Sequence, residues 1–289
     1  MKEYGILGCP LGHTMSPVLH RLLAEESGIP LNYGIFEIPG ENLAGNIARL
    51  KALDGFNVTI PHKSAIIPHL DALDESAKKY GAVNVVANEN GKYIGYNTDC
   101  LGFTRAMEAA NIPLSGRVCI VGAGGVGRMF ATECACRYCQ VTLAVKKEHI
   151  LQMQQDMAAG RQTALGFLKE KLKWLSGHTV QVVPAEELTG EFDLLINATP
   201  VGMYPHTQAS PVEQALLNQV KAVFDCIYNP QETLLMAQAR KAGCQVVGGM
   251  PMLVWQAAAA QEIWNGVPFQ KEAVGRVMEK MQQEETGYE

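Results

Sequence analysis

Lys63 and Asp99 each close a short polar cluster at the end of an apolar run, and between them they offer an amine and a carboxylate for proton handling. Lys63 ends Asn57-Val58-Thr59-Ile60-Pro61-His62-Lys63, and Asp99 ends Asn97-Thr98-Asp99. When a ketone accepts hydride, charge builds on its oxygen, and a nearby ammonium stabilises that oxygen and donates a proton. In the reverse direction the neutral amine accepts the proton of the alcohol. Asp99 would orient Lys63 and favour its charged form. The same two residues also fit a structural ion pair or an exposed lysine, because surface Lys–Asp pairs are common and weak.

A second constellation follows. Gly122-Ala123-Gly124-Gly125-Val126-Gly127 comes directly after the apolar run 118–121. Glycines at 122, 124 and 127 match the dinucleotide fingerprint. They permit a tight turn and a close approach of backbone to pyrophosphate, and the helix N-terminus supplies the positive end of a dipole. The alternative is a glycine-rich turn with no ligand; the strand before and the helix after favour the nucleotide. At the end of the next strand, Lys146 and Lys147 stand where an acidic residue would hold the ribose of NAD. Two cations suit the 2′-phosphate of NADP. A solvated basic helix start is the bland alternative, and Glu148 could reach a ribose hydroxyl instead, which keeps NAD as the second cofactor. An acid–base pair with a dinucleotide site points to hydride transfer to or from a small polar molecule.

The remaining candidates cluster around Lys63. Thr14 and Ser16 sit in the loop after the first strand, Asn57 and Thr59 follow the third, Asn84 lies in the fourth, and Thr98 precedes Asp99. Ligands of open α/β sheets bind at the carboxyl ends of strands. So many hydroxyls and amides suggest a polyhydroxylated substrate read by hydrogen bonds.

Alternating elements must position these residues. Strands are predicted at 4–8, 33–38, 55–58 and 83–88, with Asn90-Gly91 turning a hairpin into 92–95. Helices are predicted at 18–24 (Ser16 as N-cap, Pro17 first), 42–53 and 70–79. This alternation implies a mostly parallel sheet covered on both faces, the hairpin adding an antiparallel strand. A helix at 100–110 marks the boundary. A second α/β unit then has strands at 118–121, 141–145, 179–183, 194–197, 222–226 and 245–247. Helices at 252–264 and 268–283 have no strand to follow and should pack back on the first unit.

The chain has 289 residues, 47% hydrophobic and 18% charged, with net charge −5 and no long basic run. That suffices for two domains and argues against nucleic acid as the main partner. The opening segment lacks an apolar signal core and no stretch is long and apolar enough to span a membrane, so the cytoplasm is the expected location. Its 8 cysteines read as reduced, mostly buried thiols. Cys134, Cys136 and Cys139 form the one soft-ligand cluster, but no second cluster completes four ligands, and no metal is expected.

On these residues the sequence resembles the shikimate dehydrogenase family nearly end to end. Gly8-Cys9-Pro10-Leu11-Gly12-His13-Thr14-Met15-Ser16-Pro17 resembles the family's opening substrate loop. The stretch 57–63 matches that carrying its catalytic lysine. Gly81-Ala82-Val83-Asn84 and Asn97-Thr98-Asp99 match those carrying a substrate asparagine and the catalytic aspartate. Asn197-Ala198-Thr199-Pro200-Val201-Gly202-Met203 resembles the loop on the nicotinamide side, which implies cofactor roles for Thr199, Pro200, Gly202 and Met203 beside residues 122–127. Asp225-Cys226-Ile227-Tyr228-Asn229-Pro230 matches a segment whose tyrosine approaches substrate. The stretch 249–257 matches a returning helix whose glutamine, here Gln256, contacts substrate, and Gly249 falls on the cofactor side of that match.

The resemblance implies reversible NADP-linked reduction of 3-dehydroshikimate to shikimate, a step of the shikimate pathway in aromatic amino acid biosynthesis. The fold class it implies is α/β. An N-terminal mixed α/β substrate domain (1–100 with 249–289) would join a Rossmann-type doubly wound dinucleotide-binding domain (101–248) by two crossings, with a cleft that opens and closes over the cofactor. Monomer and homodimer both fit. Three departures stand out. Thr14 replaces a usual serine, Val85 replaces a usual threonine near the pocket, and Val145-Lys146-Lys147 replaces the Asn-Arg-Thr phosphate reader. The helical stretch 148–175 also looks long. A quinate/shikimate dehydrogenase using NAD or NADP is the alternative enzyme. A non-catalytic NADP-binding regulatory protein is the alternative from another class, and keeping both Lys63 and Asp99 speaks against it.

Overall fold

Short runs of β-branched and aromatic residues become strands of two six-stranded sheets. The structure is a computed structural model that describes residues 1–12, 14–160, 163, 166 and 180–285. Its two units are Met1–Phe103 with Leu253–Glu289, and Thr104–Met252.

In the first unit the strands are β1 (Lys2–Gly8), β2 (Leu31–Glu37), β3 (Gly55–Val58), β4 (Ala72–Leu73), β5 (Val85–Glu89) and β6 (Lys92–Tyr96), ordered β2-β1-β3-β5-β6-β4. Only β5 runs against its neighbours; the other pairings are parallel. Asn90 (φ 55°) and Gly91 (φ 84°) make the turn between β5 and β6, both at positive φ as a tight hairpin requires. One sheet face packs Leu7, Phe56, Val58 and Val86 on the helix Leu43–Leu50. The other packs Tyr4, Val85 and Ala87 on Ala260 and Trp264 of the helix Gly249–Asn265. Trp264 stacks on Tyr4 at 4.4 Å, and its Nε1 donates to the Val86 carbonyl at 3.0 Å. Gly55 leaves room for that ring: a Cβ there would lie 2.5 Å from Trp264 Nε1.

Several expectations are corrected. Leu70 is extended, and 70–79 is not one helix; β4 precedes a helix at Glu75–Tyr80. Asp71 and Asp74 donate their N–H groups to Tyr93 and Gly95 carbonyls of β6, so sheet pairing overrides local helical preference. The Asp74 side chain then caps the shorter helix by accepting from Ser76 N at 2.8 Å. Ser16 is the first residue of the helix Ser16–Ser27 rather than its cap, and Thr14 Oγ1 accepts the Ser16 N–H at 3.3 Å. Residues 42–53 split into a 3₁₀ turn, Gly40–Asn42, and the helix Leu43–Leu50. Of the stretch 148–175, the helix Lys147–Ala158 is described; most of the rest, like Thr179, lies outside the described residues.

In the second unit the strands are β7 (Arg117–Val121), β8 (Gln140–Val145), β9 (Val180–Pro184), β10 (Phe192–Asn197), β11 (Val220–Asp225) and β12 (Gln245–Val247). Their order is β12-β11-β10-β7-β8-β9, and every pairing is parallel. This is the doubly wound dinucleotide-binding order, whose strand direction of travel reverses between β7 and β10.

Candidate active site

The C-terminal end of β3, the start of β5 and the end of β6 meet at one edge of the first sheet. Asn84 does not lie in a strand; it immediately precedes β5. Because β5 is antiparallel, its beginning shares the edge where the parallel strands end, which is why Asn84 still reaches the cluster. Lys63 sits in the short helix His62–Ala65, which the buried His62 pins by a 2.6 Å hydrogen bond between Nε2 and the Ile38 carbonyl.

Lys63 Nζ donates to Asp99 Oδ2 at 2.6 Å. Asn84 Nδ2 donates to Asp99 Oδ1 at 2.8 Å, to Gln256 Oε1 at 3.0 Å and to Thr98 Oγ1 at 3.1 Å. Thr98 closes the ring by donating its N–H to Asn84 Oδ1 at 2.7 Å and its hydroxyl to the Gln256 carbonyl at 2.9 Å. The Lys63 and Asp99 side chains are 27% and 13% exposed, so the pair opens to solvent enough to meet a ligand while both Asp99 oxygens are held. That is more than a surface ion pair: each carboxylate oxygen has its own donor, and two strand ends and a helix fix the donors.

Asn57, only 8% exposed, accepts from the Tyr33 hydroxyl at 2.6 Å and donates from Nδ2 to the Asn84 carbonyl at 3.4 Å. The Thr14 hydroxyl faces Ser16 Oγ at 3.3 Å. Thr59 follows β3, its N–H donating to the Leu7 carbonyl at 2.8 Å. Val85 is fully buried among Tyr4, Ala260 and Trp264, so it belongs to the core and not to the pocket as expected.

In the second unit, β7 runs into Gly122 (φ 102°), and the helix Gly125–Cys136 follows. A Cβ at Gly122 would press on Thr199 Cγ2 at 2.8 Å and the Ala198 carbonyl at 2.9 Å. A Cβ at Gly127 would overlap the Gly122 carbonyl, whereas at Gly124 and Gly125 nothing lies within 4 Å. So Gly122 serves the turn, Gly127 lets helix pack on turn, and Gly124 leaves open room for a pyrophosphate. A cleft of about 920 Å³ opens there, lined by Gly122, Ala123, Gly124, Lys146, Thr199 and Pro200 among others. Of the other expected cofactor residues, Gly125, Val126, Gly127, Lys147, Gly202, Met203 and Gly249 are not among its lining. His149, one turn beyond Lys146, does line it and carried no signal in the sequence beyond its helical spacing.

Two loops of this unit are tied by a buried pair. Asn197 Oδ1 accepts from Thr199 N at 3.0 Å and its hydroxyl at 2.7 Å, and Asn197 Nδ2 donates to Asp225 Oδ1 at 3.0 Å. Asp225 Oδ2 accepts from the Thr233 hydroxyl at 2.7 Å. Burial raises the Asp225 pKa, against the pull of its hydrogen bonds from Thr233, Ile227 and Asn197. Tyr228 lies in the second unit, in the loop after β11, 36% exposed. Gly249 opens the helix Gly249–Asn265, where a Cβ would overlap the Cys226 carbonyl; it has a packing reason to be glycine. Cys134, near the end of the helix Gly125–Cys136, and Cys139, just beyond it, are both buried.

Sequence reasoning singled out none of Tyr33, His20 and Gln261: Tyr33 stands behind Asn57, His20 stacks on Tyr33, and Gln261 holds His20. Their aromatic and amide types in apolar surroundings read as ordinary core, and only contact reveals them. No helix among the described residues is long and apolar enough to cross a membrane.

Comparison with known proteins identifies the family. The family model described as the shikimate dehydrogenase substrate binding domain matches residues 6–86. The shikimate dehydrogenase (NADP(+)) of Bacillus mycoides (strain KBAB4) is 37% identical over 271 residues, covering 92% of this chain and 94% of the relative. The shikimate 5-dehydrogenase of Thermus thermophilus, solved with NADP(H) and shikimate, superposes with a TM-score of 0.82 at 31% identity, covering 97% of this chain and all (100%) of that one. The Listeria monocytogenes enzyme, solved with shikimate and NAD, has a TM-score of 0.80 at 27% identity and covers 96% of each chain. The chain belongs to the shikimate dehydrogenase family.

Proposed function

We propose that this protein catalyses the reversible NADP-linked reduction of 3-dehydroshikimate to shikimate. The observation that carries the reading is the Lys63–Asp99 pair, fixed at 2.6 Å beside Asn84 and Gln256. In this reading Met1–Phe103 with Leu253–Glu289 is the substrate part and Thr104–Met252 the cofactor part. The open face of Gly124 and the cation of Lys146 on the same cleft fit a dinucleotide carrying a 2′-phosphate.

When bound, NADP supplies the hydride acceptor or donor. Lys63 does the proton work: as an amine it takes the hydroxyl proton during oxidation, and as an ammonium it returns a proton to the carbonyl oxygen during reduction. Asp99 holds Nζ in place at 2.6 Å, which keeps the amine aimed at one substrate oxygen. Asn84 keeps Asp99 from turning, because its amide donates to Asp99 Oδ1. Thr14, Ser16, Asn57, Thr59, Thr98, Tyr228 and Gln256 are assigned to the substrate. Gly122–Gly127, Lys146, Lys147, Thr199, Pro200, Gly202, Met203 and Gly249 are assigned to the cofactor side. A place in aromatic amino acid biosynthesis, in the cytoplasm and as a monomer or homodimer, goes with this reading.

A second reading, use of NAD, is favoured by one observation: Lys147 does not line the cleft, which leaves Lys146 as its only lysine or arginine among the described residues. Initial rates with shikimate and quinate, each with NADP⁺ and NAD⁺, decide between them. Shikimate with NADP⁺ dominating supports the proposal. Dominance of NAD⁺ or quinate moves the protein to the alternative enzyme, and no turnover with any pair overturns both.

A further inference from the structure

Behind Asn57 stands a hydrogen-bonded array that the reaction itself does not need. Tyr33 donates its hydroxyl to Asn57 Oδ1 at 2.6 Å. The His20 ring stacks on Tyr33, centroids 4.4 Å apart and planes 12° off parallel. His20 itself is buried, 1% exposed.

The tautomer of His20 follows from its other neighbour. Gln261 Nε2 lies 3.3 Å from His20 Nδ1 and donates to the His20 carbonyl at 2.8 Å. An amide nitrogen can only donate, so Nδ1 accepts and the ring proton resides on Nε2. The Asn57 carboxamide is fixed at both ends: Oδ1 accepts from the Tyr33 hydroxyl at 2.6 Å, and Nδ2 faces the Asn84 carbonyl, which can only accept. On the nitrogen side, one Nδ2 hydrogen points at the Asn84 carbonyl at 3.4 Å and the other remains. A flipped carboxamide would set Oδ1 against the Asn84 carbonyl, two acceptors with no proton between them.

We infer that Tyr33, braced by its stack on His20, is a positioning residue that locks the Asn57 carboxamide, so that Asn57 meets the substrate through its N–H, as a hydrogen-bond donor. The ligand atom at this subsite is therefore an oxygen offering lone pairs, a hydroxyl or a carboxylate oxygen, and an N–H or ammonium group is refused. The inference rests on the reading of Asn57 as a substrate contact.

The test is a double-mutant cycle of Tyr33→Phe and Asn57→Ala, read with shikimate and NADP⁺. Phenylalanine keeps the stack on His20 and removes only the hydroxyl. Expected for Tyr33→Phe is a KM for shikimate raised about tenfold, with kcat within about twofold and NADP⁺ affinity unchanged. In the Asn57→Ala background the same change should raise KM no further, because Tyr33 acts through Asn57. Independent, additive effects overturn the inference, as does an unchanged KM in Tyr33→Phe. Asn57→Asp is the second variant: it keeps an acceptor oxygen for Tyr33 but loses the N–H, and a wild-type KM there also overturns the inference. Should Tyr33→Phe fail to fold, His20→Gln enters the same cycle. If Asn57→Ala itself leaves shikimate KM unchanged, the substrate reading of Asn57 fails. If it raises KM while Tyr33→Phe does not, only the positioning fails.

Discussion

Asn84 holds Asp99 by a 2.8 Å hydrogen bond to Oδ1, which leaves Oδ2 to take the Lys63 amine at 2.6 Å. The carboxylate therefore cannot rotate away from Lys63 without breaking two bonds at once. Lys63→Ala should lower kcat by roughly 10²–10⁴, the range of a lost general acid–base group, with NADP⁺ affinity retained. Steady-state rates with a direct binding measurement check both halves. Intact turnover would remove Lys63 from the chemistry.

Asn84→Ala should act more mildly on the same step. Lys63 and Asp99 remain, but the Asp99 carboxylate loses its Oδ1 donor and Gln256 loses its partner. We expect kcat to fall about tenfold and shikimate KM to rise, consistent with the loss of a hydrogen bond to a charged group. A variant affected in neither would show that the ring of contacts does not serve the reaction.

Gly124→Ala and Gly127→Ala separate ligand from fold. A Cβ at 124 meets no atom within 4 Å, so the melting temperature should hold while NADP⁺ binding weakens. A Cβ at 127 overlaps the Gly122 carbonyl, so stability should fall by about 1–3 kcal/mol, the cost of overpacking. Equal melting temperatures for the two variants would contradict this division.

Lys146→Ala should raise KM for NADP⁺ about tenfold and leave NAD⁺ almost unaffected, because the side chain lines the cleft and a charge-assisted contact to phosphate is lost. Lys147→Ala should change neither. Parallel titrations of the two cofactors test the pair.

Burial lowers the His20 pKa from 6.5 to about 3, against a smaller opposing pull from its hydrogen bond to Asn57. The folded state thus binds fewer protons than the unfolded chain between those values. Stability is fully present above pH 6.5 and is lost as pH falls towards 3, by up to about 5 kcal/mol in all. Urea unfolding at pH 7 and pH 5 should show a loss of about 2 kcal/mol that His20→Gln largely removes. The same loss in the variant would assign the acid sensitivity to other groups.

Much of this protein was legible before folding because the signals are local. The strand–turn–helix around Gly122 and Gly127 depends on backbone freedom at single residues, and the structure keeps it. The Asn90-Gly91 hairpin and the strands 55–58 and 245–247 likewise need only their own composition. Lys63 and Asp99 could be named as partners from their types, and their family stretches put Asn84, Thr98 and Gln256 with them.

The tertiary structure decided what depends on distant pairing. It turned 71–74 into a sheet edge by pairing with β6, where local propensity read helix. It put Val85 into the core and Asn84 at the active edge, since β5 runs backwards and begins where the parallel strands end. It brought Gln256 to Asn84 across 172 residues and Gln261 to His20 across 241. Sequence alone determined which groups could do the chemistry and where turns and strands begin, because those follow from side-chain type and short-range sterics. Which oxygen each donor meets was settled only by folding, because a hydrogen bond between remote residues is set by sheet order and strand direction, neither of which any single segment contains.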